Sequence, residues 1–313
     1  MTVTESPPAR EPAPAEDLAP QPAPAPGRSR GRGRGRRHRW PAVVPFFAYL
    51  AVFFGVPAAA ILNGAFTAED PVSGASHYTL DNVTYSLKGA YGTGLVGSVE
   101  LSAVCALLAT VFGVLIAQAV VTSKHSALRK MIVSASGVLA NFSGVPLAFA
   151  FIATLGNLGI VTRMLELQRT GFSLYTFTGL ALAYLYFMVP LMVVMILPAL
   201  DGLRSQWREA VAASGGTNWH FWRYVGLPVL TPSLLGGAVL LFGTSFASHA
   251  TAAAMVGSSV PLITLQISNA LAGNVLVGQE NMALALSLNM VVVALLVMAV
   301  QIPLQRRSAR WLG

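Results

Sequence analysis

The chain has 313 residues, of which 54% are hydrophobic and only 10% are charged, and its formal net charge is +8. Soluble domains carry about 25% charged residues, so the composition excludes an ordinary soluble protein and indicates an integral membrane protein. The mean hydropathy of +0.62 agrees with this. The single cysteine, Cys105, excludes an intramolecular disulfide. The sequence has no run of Cys and His with metal-ligand spacing, so we expect no metal or other cofactor.

The first 40 residues differ in composition from the rest of the chain. They are rich in Pro, Ala and Glu, and they end in the run GRSRGRGRGRRHRW, with seven arginines between Arg28 and Arg39. Few apolar side chains are available to offset the ordering entropy, so we expect residues 1–40 to be disordered. Arginine clusters bind nucleic acid or anionic lipid in some proteins. Here a long apolar stretch follows directly, which favours a charge cluster that holds the N-terminus in the cytoplasm.

A cleavable signal peptide ending near Ala58–Ala60 is the competing interpretation of this region. Its charged leader would be about 40 residues long, well beyond the usual length, and the apolar stretch is long enough to cross a membrane. We therefore expect the first span to be retained.

Six apolar stretches are long enough to cross a bilayer, which takes roughly 20 apolar residues per helix. Proline, glycine and charged residues separate them. The sequence therefore predicts an all-α integral membrane bundle of six helices in one domain over residues 41–313. The predicted spans are 42–64, 94–122, 131–155, 173–199, 230–256 and 283–304.

Basic residues concentrate in alternate loops of this predicted bundle. The N-terminal tail, Ser123–Lys130, the polar loop 201–229 and Arg306–Gly313 together hold 17 of the 20 lysines and arginines. Cytoplasmic loops are enriched in Lys and Arg. We therefore expect both termini and the polar loop to lie in the cytoplasm.

The polar loop contains a spaced pattern in the segment EAVAASGGTNWHFWRYVGLP. Ala210 follows Glu209 directly, and Gly215 comes six residues after Glu209. After Gly215 come nine residues, the aliphatic Val225, one further residue and then Leu227-Pro228. Glycine accepts turn geometries that other residues avoid, and the next polar residues offer a cap for a second helix. The segment predicts a helix-turn-helix hairpin whose aromatic side chains are available for docking.

This pattern resembles the cytoplasmic EAA loop of permease subunits of binding-protein-dependent ABC importers, with Val211 in place of the second alanine that is usual there. The resemblance covers roughly residues 42–313 and implies a type I importer permease fold in the plasma membrane of a prokaryote. In that family the hairpin is the coupling helix that docks on a separate ATPase. The resemblance assigns this role to Glu209, Ala210, Gly215, Leu227 and Pro228.

The resemblance also implies the partners of the chain. They are two ABC ATPase subunits, a second permease subunit or a second copy of this chain, and an extracellular or lipid-anchored solute-binding protein. ATP hydrolysis would reside on the separate ATPase, because this chain has no GxxxxGK[ST] phosphate loop. We therefore expect a transport subunit rather than an enzyme, with the lipid bilayer and no nucleic acid among its partners.

Four polar residues within the predicted spans are candidates for the solute path: Glu100, Asn141, Ser245 and His249. Polar groups inside a membrane are costly and often functional. Each also has a plainer interpretation, since Glu100 is close enough to the outer end of its span to reach the headgroups and His249 lies among small residues that favour packing.

The solute is the least constrained part of the prediction. The region after the polar loop resembles permeases of the polyamine, phosphonate, ferric-ion and sulfate branch. Four acids are predicted to lie toward the external side: Glu69, Asp70, Asp81 and Glu100. Acids on that side suit a cation, so a polyamine is the expected solute.

Two further patterns leave alternatives open. Small residues recur at every fourth position in two series, Ala109, Gly113, Ala117 and Ser136, Ala140, Gly144, which favours close helix packing within the bundle or at a seam with a partner permease.

Ser143 and His249 suggest the dyad of a six-span intramembrane serine protease, but that interpretation leaves the polar loop unexplained. A six-span ion channel lacks support, since no TVGYG-like filter is present.

Overall fold

A computed structural model of the protein describes residues 40–69, 75–274 and 281–309. The tail predicted over residues 1–40 lies outside this part of the chain except for its last residue, and Asp70 lies outside it as well. The chain divides into two compact units, Met1–Leu50 and Ala51–Gly313. The first contributes only the helix α1 to the described residues.

Most of the described residues are helical. A two-stranded antiparallel sheet joins β1 (Thr67–Glu69) to β2 (Ser76–Tyr78), with Thr67 opposite Tyr78. Two π-helical turns, Ala51–Gly55 and Trp222–Gly226, and one 3-10 turn, Leu167–Thr170, interrupt or join helices. The α-helices are α1 (Trp40–Leu50), α2 (Val56–Ala65), α3 (Asp81–Ser86), α4 (Gly89–Thr122), α5 (Ser126–Asn141), α6 (Val145–Leu155), α7 (Ile160–Met164), α8 (Phe177–Asp201), α9 (Ser205–Ala213), α10 (Asn218–Phe221), α11 (Leu227–Phe246), α12 (Ala250–Met255), α13 (Ile263–Leu271) and α14 (Met282–Ala309).

The all-α membrane bundle predicted from the sequence is confirmed. Within the described ranges, six helical stretches are long and apolar enough to cross a bilayer. They are Val44–Ala65, Gly89–Thr122, Val145–Met164, Phe177–Asp201, Asn218–Phe246 and Met282–Pro303.

The third predicted span, 131–155, is wrong as a continuous helix. The chain breaks after Asn141, and α6 begins only at Val145. Gly144 adopts φ +79°, a left-handed conformation that does not continue a helix, and Pro146 is favoured only in the first turn of a new helix. The predicted span is therefore divided between α5 and α6 at a glycine, and the apolar stretch long enough to cross a bilayer runs from Val145 to Met164.

The fifth predicted span, 230–256, is wrong in the same way. Its helix begins earlier, because α10, the π-helical turn and α11 run without interruption from Asn218 to Phe246. The chain then leaves the helix, and α12 resumes at Ala250. The two breaks lie next to each other, since Thr251 Oγ1 accepts a hydrogen bond from the Gly144 amide at 3.0 Å.

Helix α8 forms the centre of the bundle and packs against α4, α5 and α11. Its side chains at Tyr184, Met188 and Met192 are fully buried. The small residues Ala109, Gly113 and Ala117 of α4 are buried inside the chain. A Cβ on Gly113 would lie 2.6 Å from Cβ of Met192. This series of small residues therefore packs against α8 and is not a seam with a second chain.

Candidate functional site

The polar loop forms a hairpin of two short helices, and its turn explains the spacing of the glycines. Helix α9 ends at Ala213, after which Gly215 takes φ +74°. The Gly216 amide donates to the Val211 carbonyl at 2.8 Å, and the Gly215 amide donates to the Ala212 carbonyl at 3.0 Å. This pair of bonds is a Schellman motif, which requires a residue that tolerates the left-handed conformation at Gly215. The predicted turn is therefore present.

The second helix of the hairpin begins at a cap. Thr217 precedes α10 in an extended conformation, and its amide donates to Nδ1 of His220 at 3.2 Å. The following π-helical turn, Trp222–Gly226, brings the Trp222 ring over Gly226, where a Cβ would lie 2.7 Å from the ring. Leu227 and Pro228 then occupy the first turn of α11. The helical run from Asn218 to Phe246 therefore passes through both residues without interruption.

Cation–π contacts hold the two helices of the hairpin together. The guanidinium carbon of Arg208 on α9 lies 5.0 Å from the centroid of Phe221 and 5.9 Å from that of Trp222. Phe221 is only 1% exposed, so it belongs to the interior of the hairpin and is not a free docking anchor. Sequence reasoning missed Arg208, because nothing in the spacing of an isolated arginine indicates which aromatic ring it will cover.

The outer face of the hairpin is open. Glu209, Ala210 and Gly215 are exposed, and Glu209 makes no hydrogen bond or ion pair with any described residue. Trp219 and Tyr224 are each 67% exposed. These five residues therefore offer an exposed surface with one free carboxylate and two large aromatic rings. Such a surface is chemically suited to docking on a partner that has a basic group and an apolar cleft.

A second candidate site lies at the opposite end of the bundle, which we call the far end. It is an open cleft of about 690 Å³, here named the far-end cleft. Glu100 of α4 lines it and is exposed. The other lining residues come from α4 and the turn before it, from the start of α8, and from the turn that follows α12: Leu87, Gly89, Gly92, Thr93, Val96, Gly97, Tyr175, Thr176, Phe177, Ser259, Val260 and Pro261.

Two contacts hold the wall of the cleft against α4. The Ile263 amide donates to Oγ of buried Ser98 at 2.8 Å, which fixes the start of α13. A Cβ on Gly97 would lie 2.5 Å from the Pro261 carbonyl oxygen, so the turn approaches α4 where no side chain intervenes. The glycines of α4 are thus the sequence signal that could have located this wall, together with the Gly-Ser-Ser-Val-Pro turn at 257–261.

The other predicted path residues lie outside this cleft. The Asn141 amide nitrogen donates to Gly137 of its own helix at 2.8 Å. Ser245 lies in the last turn of α11 and His249 in the break after it, and Ser245 Oγ and His249 Nδ1 are buried without a hydrogen-bond partner among the described residues. The structure therefore separates Glu100 from these three residues rather than gathering all four in one cavity.

The break next to His249 is held by hydrogen bonds to neighbouring helices. The Tyr184 hydroxyl of α8 donates to the Ser248 carbonyl at 2.9 Å. Ser143 is exposed, and no hydrogen bond joins it to His249 in the described part of the chain. A nucleophile and a base within bonding reach are what a serine protease needs, so this geometry gives the protease alternative no support.

Comparisons with known proteins find permease proteins of transport systems. The thiamine transport system permease protein ThiP of Salmonella typhimurium is 35% identical over 102 residues, 33% of this chain and 19% of the relative. The molybdenum transport system permease protein ModB of Mycobacterium tuberculosis is 28% identical over 209 residues, 66% of this chain and 76% of the relative. The match to ThiP spans about a fifth of that protein's length. A scan against protein-family models finds no match.

One solved structure has a similar fold over most of the chain. The crystal structure of a bacterial ABC transporter involved in the import of the polysaccharide alginate contains a chain with a TM-score of 0.66 and 15% sequence identity. The similarity covers 87% of this chain and 94% of that chain. The chain therefore shares its fold with a chain of this ABC transporter, and the sequence relatives are permease proteins of transport systems.

Proposed function

We propose that the chain is the membrane-spanning subunit of an ATP-driven importer and that its hairpin, residues 201–229, docks on a separate ABC ATPase. The observation that carries this proposal is the exposed face of the hairpin, with the unpaired carboxylate of Glu209 and the exposed rings of Trp219 and Tyr224. The proposed coupling surface is completed by the residues that shape its turn and its exit into α11, namely Ala210, Gly215, Leu227 and Pro228.

The helix that leaves the hairpin provides a path for movement. Asn218–Phe246 is a helical run of 29 residues, which is about 44 Å long at 1.5 Å per residue. It joins the hairpin at one end to the break beside His249 at the other. A displacement of the hairpin when two ATPases close around ATP would therefore reach the break, and beyond it α12 and the turn that lines the far-end cleft.

The proposed assembly contains two ATPase subunits, a second permease or a second copy of this chain, and an extracellular or lipid-anchored solute-binding protein. We propose that the hairpin is cytoplasmic and that the far-end cleft faces outward. The uneven distribution of basic residues supports this orientation, with 17 of 20 in the segments placed inside. Both termini would then be cytoplasmic.

We further propose that the solute is a small cation, with a polyamine as the first candidate. Glu100 supports this, because it is an exposed carboxylate on the wall of a cleft inside a membrane bundle, and such a charge attracts cations. The relatives are named for thiamine and molybdenum, so permeases of similar sequence serve different solutes. Uptake of spermidine, thiamine and sulfate by the assembled importer distinguishes these classes.

The coupling role is tested with Glu209→Lys. Charge reversal opposes a basic contact on the ATPase, so we expect loss of ATPase co-purification and of uptake while the chain stays inserted. Asp81→Lys is the matched control, since Asp81 is an exposed acid away from the hairpin; it should leave co-purification unchanged. Normal uptake and normal ATPase binding by Glu209→Lys would rule out the coupling role.

A further inference from the structure

The loop between α6 and α8, Gly156–Tyr175, carries an apolar surface that the chain leaves uncovered. We call it the connecting loop. It contains the short helix α7 and the 3-10 turn Leu167–Thr170. Four large apolar side chains in and beside α7 are 64–78% exposed. They are Leu158, Ile160, Met164 and Leu165.

A tight turn keeps this surface close to the membrane. Helix α6 ends at Leu155, and the Gly159 amide donates to the Gly156 carbonyl at 2.8 Å. A Cβ on Gly159 would lie 2.3 Å from the Thr154 carbonyl oxygen, so the chain folds back against the end of α6. Four residues reach at most about 13 Å even when extended. Helix α7 therefore lies at the end of a membrane span and cannot extend far into water.

A polar pocket adjoins the apolar side chains. It has a volume of about 290 Å³ and is lined by residues of the same loop: Asn157, Leu158, Thr162, Arg163, Glu166, Gln168 and Arg169. Thr162 is only 3% exposed, and its Oγ1 has no hydrogen-bond partner among the described residues. A buried hydroxyl without a partner is uncommon and costs free energy unless a bound group supplies the bond.

The charges of the pocket favour an anion. Arg169 forms an ion pair with Glu166, so these two charges largely cancel. Arg163 is exposed and makes no ion pair with any other described residue. The pocket is therefore left with one positive guanidinium near a hydroxyl donor. A guanidinium binds phosphate through two parallel hydrogen bonds.

We propose that the connecting loop binds a membrane phospholipid, with the headgroup phosphate in the polar pocket and the acyl chains against the apolar side chains of α7. Arg163 and Thr162 would donate hydrogen bonds to the phosphate oxygens. Ile160 and Met164 would enter the boundary between headgroups and acyl chains, as the apolar face of an interfacial helix does. This assignment does not depend on which solute the protein transports.

A docking surface for a solute-binding protein is the competing use of the same loop. The membrane is favoured because the four apolar side chains are largely exposed in the isolated chain and lie within a few residues of a span. A lipid bilayer would cover them at all times, whereas a transient protein partner would leave them in water between encounters.

The first test measures where α7 lies. A nitroxide is attached at Met164→Cys in the full chain reconstituted in phosphatidylglycerol nanodiscs, and its collisions with oxygen and with a water-soluble nickel chelate are compared. The native Cys105 is fully buried and should not react. We expect oxygen to reach the label and the chelate to be excluded, whereas a label at Ala213→Cys on the exposed hairpin should meet the chelate. Free access of the chelate to Met164, or exclusion only after a solute-binding protein is added, would overturn the proposal.

The second test addresses the phosphate. Retention of phosphatidylglycerol by the purified full chain is counted by native mass spectrometry. Arg163→Ala should weaken retention of the lipid about fivefold, which is the effect of one cation near an anionic surface. Thr162→Val should also weaken retention, and the chain should still fold because threonine and valine have similar shapes. Arg208→Ala on the hairpin is the control and should match the parent chain. Unchanged retention by Arg163→Ala, or displacement of the lipid by inorganic phosphate, would refute a phospholipid site.

Discussion

Arg129 Nη2 lies 2.6 Å from Oδ2 of Asp201. The contact joins the first turns of α5 to the last residue of α8, four residues before α9 begins. Both side chains are 43% exposed, so water screens the pair, and such ion pairs typically stabilise a fold by less than about 1 kcal/mol. The pair lies at the end of the central helix, at the point from which the hairpin departs.

This ion pair is expected to be weak but measurable. A double-mutant cycle with Arg129→Ala and Asp201→Ala should give a coupling free energy of about 0.2–1 kcal/mol, and the value should fall as salt concentration rises. Thermal unfolding of the purified chain in detergent measures it. A coupling free energy near zero at low salt would show that the two side chains do not pair in solution.

Gly215 is expected to be needed for its backbone conformation alone. A Cβ at this position would meet no atom within 4 Å, so there is room for alanine, but φ is +74°. A left-handed residue other than glycine costs roughly 1–2 kcal/mol, so Gly215→Ala should loosen the turn and lower ATPase co-purification. Gly137→Ala is the control, since Gly137 also has open space and lies within the regular helix α5. Equal co-purification by the two variants would contradict a role for the turn.

The turn of the hairpin was predictable because it depends on local sequence. A Schellman motif needs glycine at one position, and its two hydrogen bonds close within six residues. The position of Arg208 over Phe221 was not predictable in the same way, since it depends on how α9 and α10 meet across the turn.

The helix breaks were missed for a different reason. Hydropathy is high on both sides of Gly144 and of His249, so an apolar window cannot detect a break inside a span. The Gly-Val-Pro sequence at 144–146 was the available signal, because glycine and proline interrupt helices. Residues 247–249, where the second break lies, include no proline, and this break depends on tertiary hydrogen bonds such as that from Tyr184 to Ser248.

Labelling should show that the hairpin faces the cytoplasm. A membrane-impermeant thiol reagent applied to intact cells should leave Thr217→Cys unmodified, and it should react once the cells are permeabilised, because Thr217 is exposed on the hairpin. Tyr78→Cys is the companion variant, since Tyr78 is 80% exposed and lies in β2, before the far end of α4; it should react in intact cells. Modification of Thr217→Cys without permeabilisation would invert the orientation.

Glu100→Gln is expected to lower uptake of a cationic solute. An ionised carboxylate within a span costs about 2.5–3.5 kcal/mol on insertion scales unless it faces water or a polar cavity, and Glu100 is exposed on the wall of the far-end cleft. Loss of the charge removes one weak contact for an ammonium group, which corresponds to roughly a two- to fivefold lower rate at subsaturating solute. Initial uptake rates at equal membrane expression measure the effect.

Asp81→Asn provides the control, because Asp81 is exposed but does not line the cleft, and it should leave the rate nearly unchanged. If Glu100→Gln transports spermidine at the parent rate, or if uptake of sulfate rather than of a cation is found, the carboxylate does not serve a cationic solute.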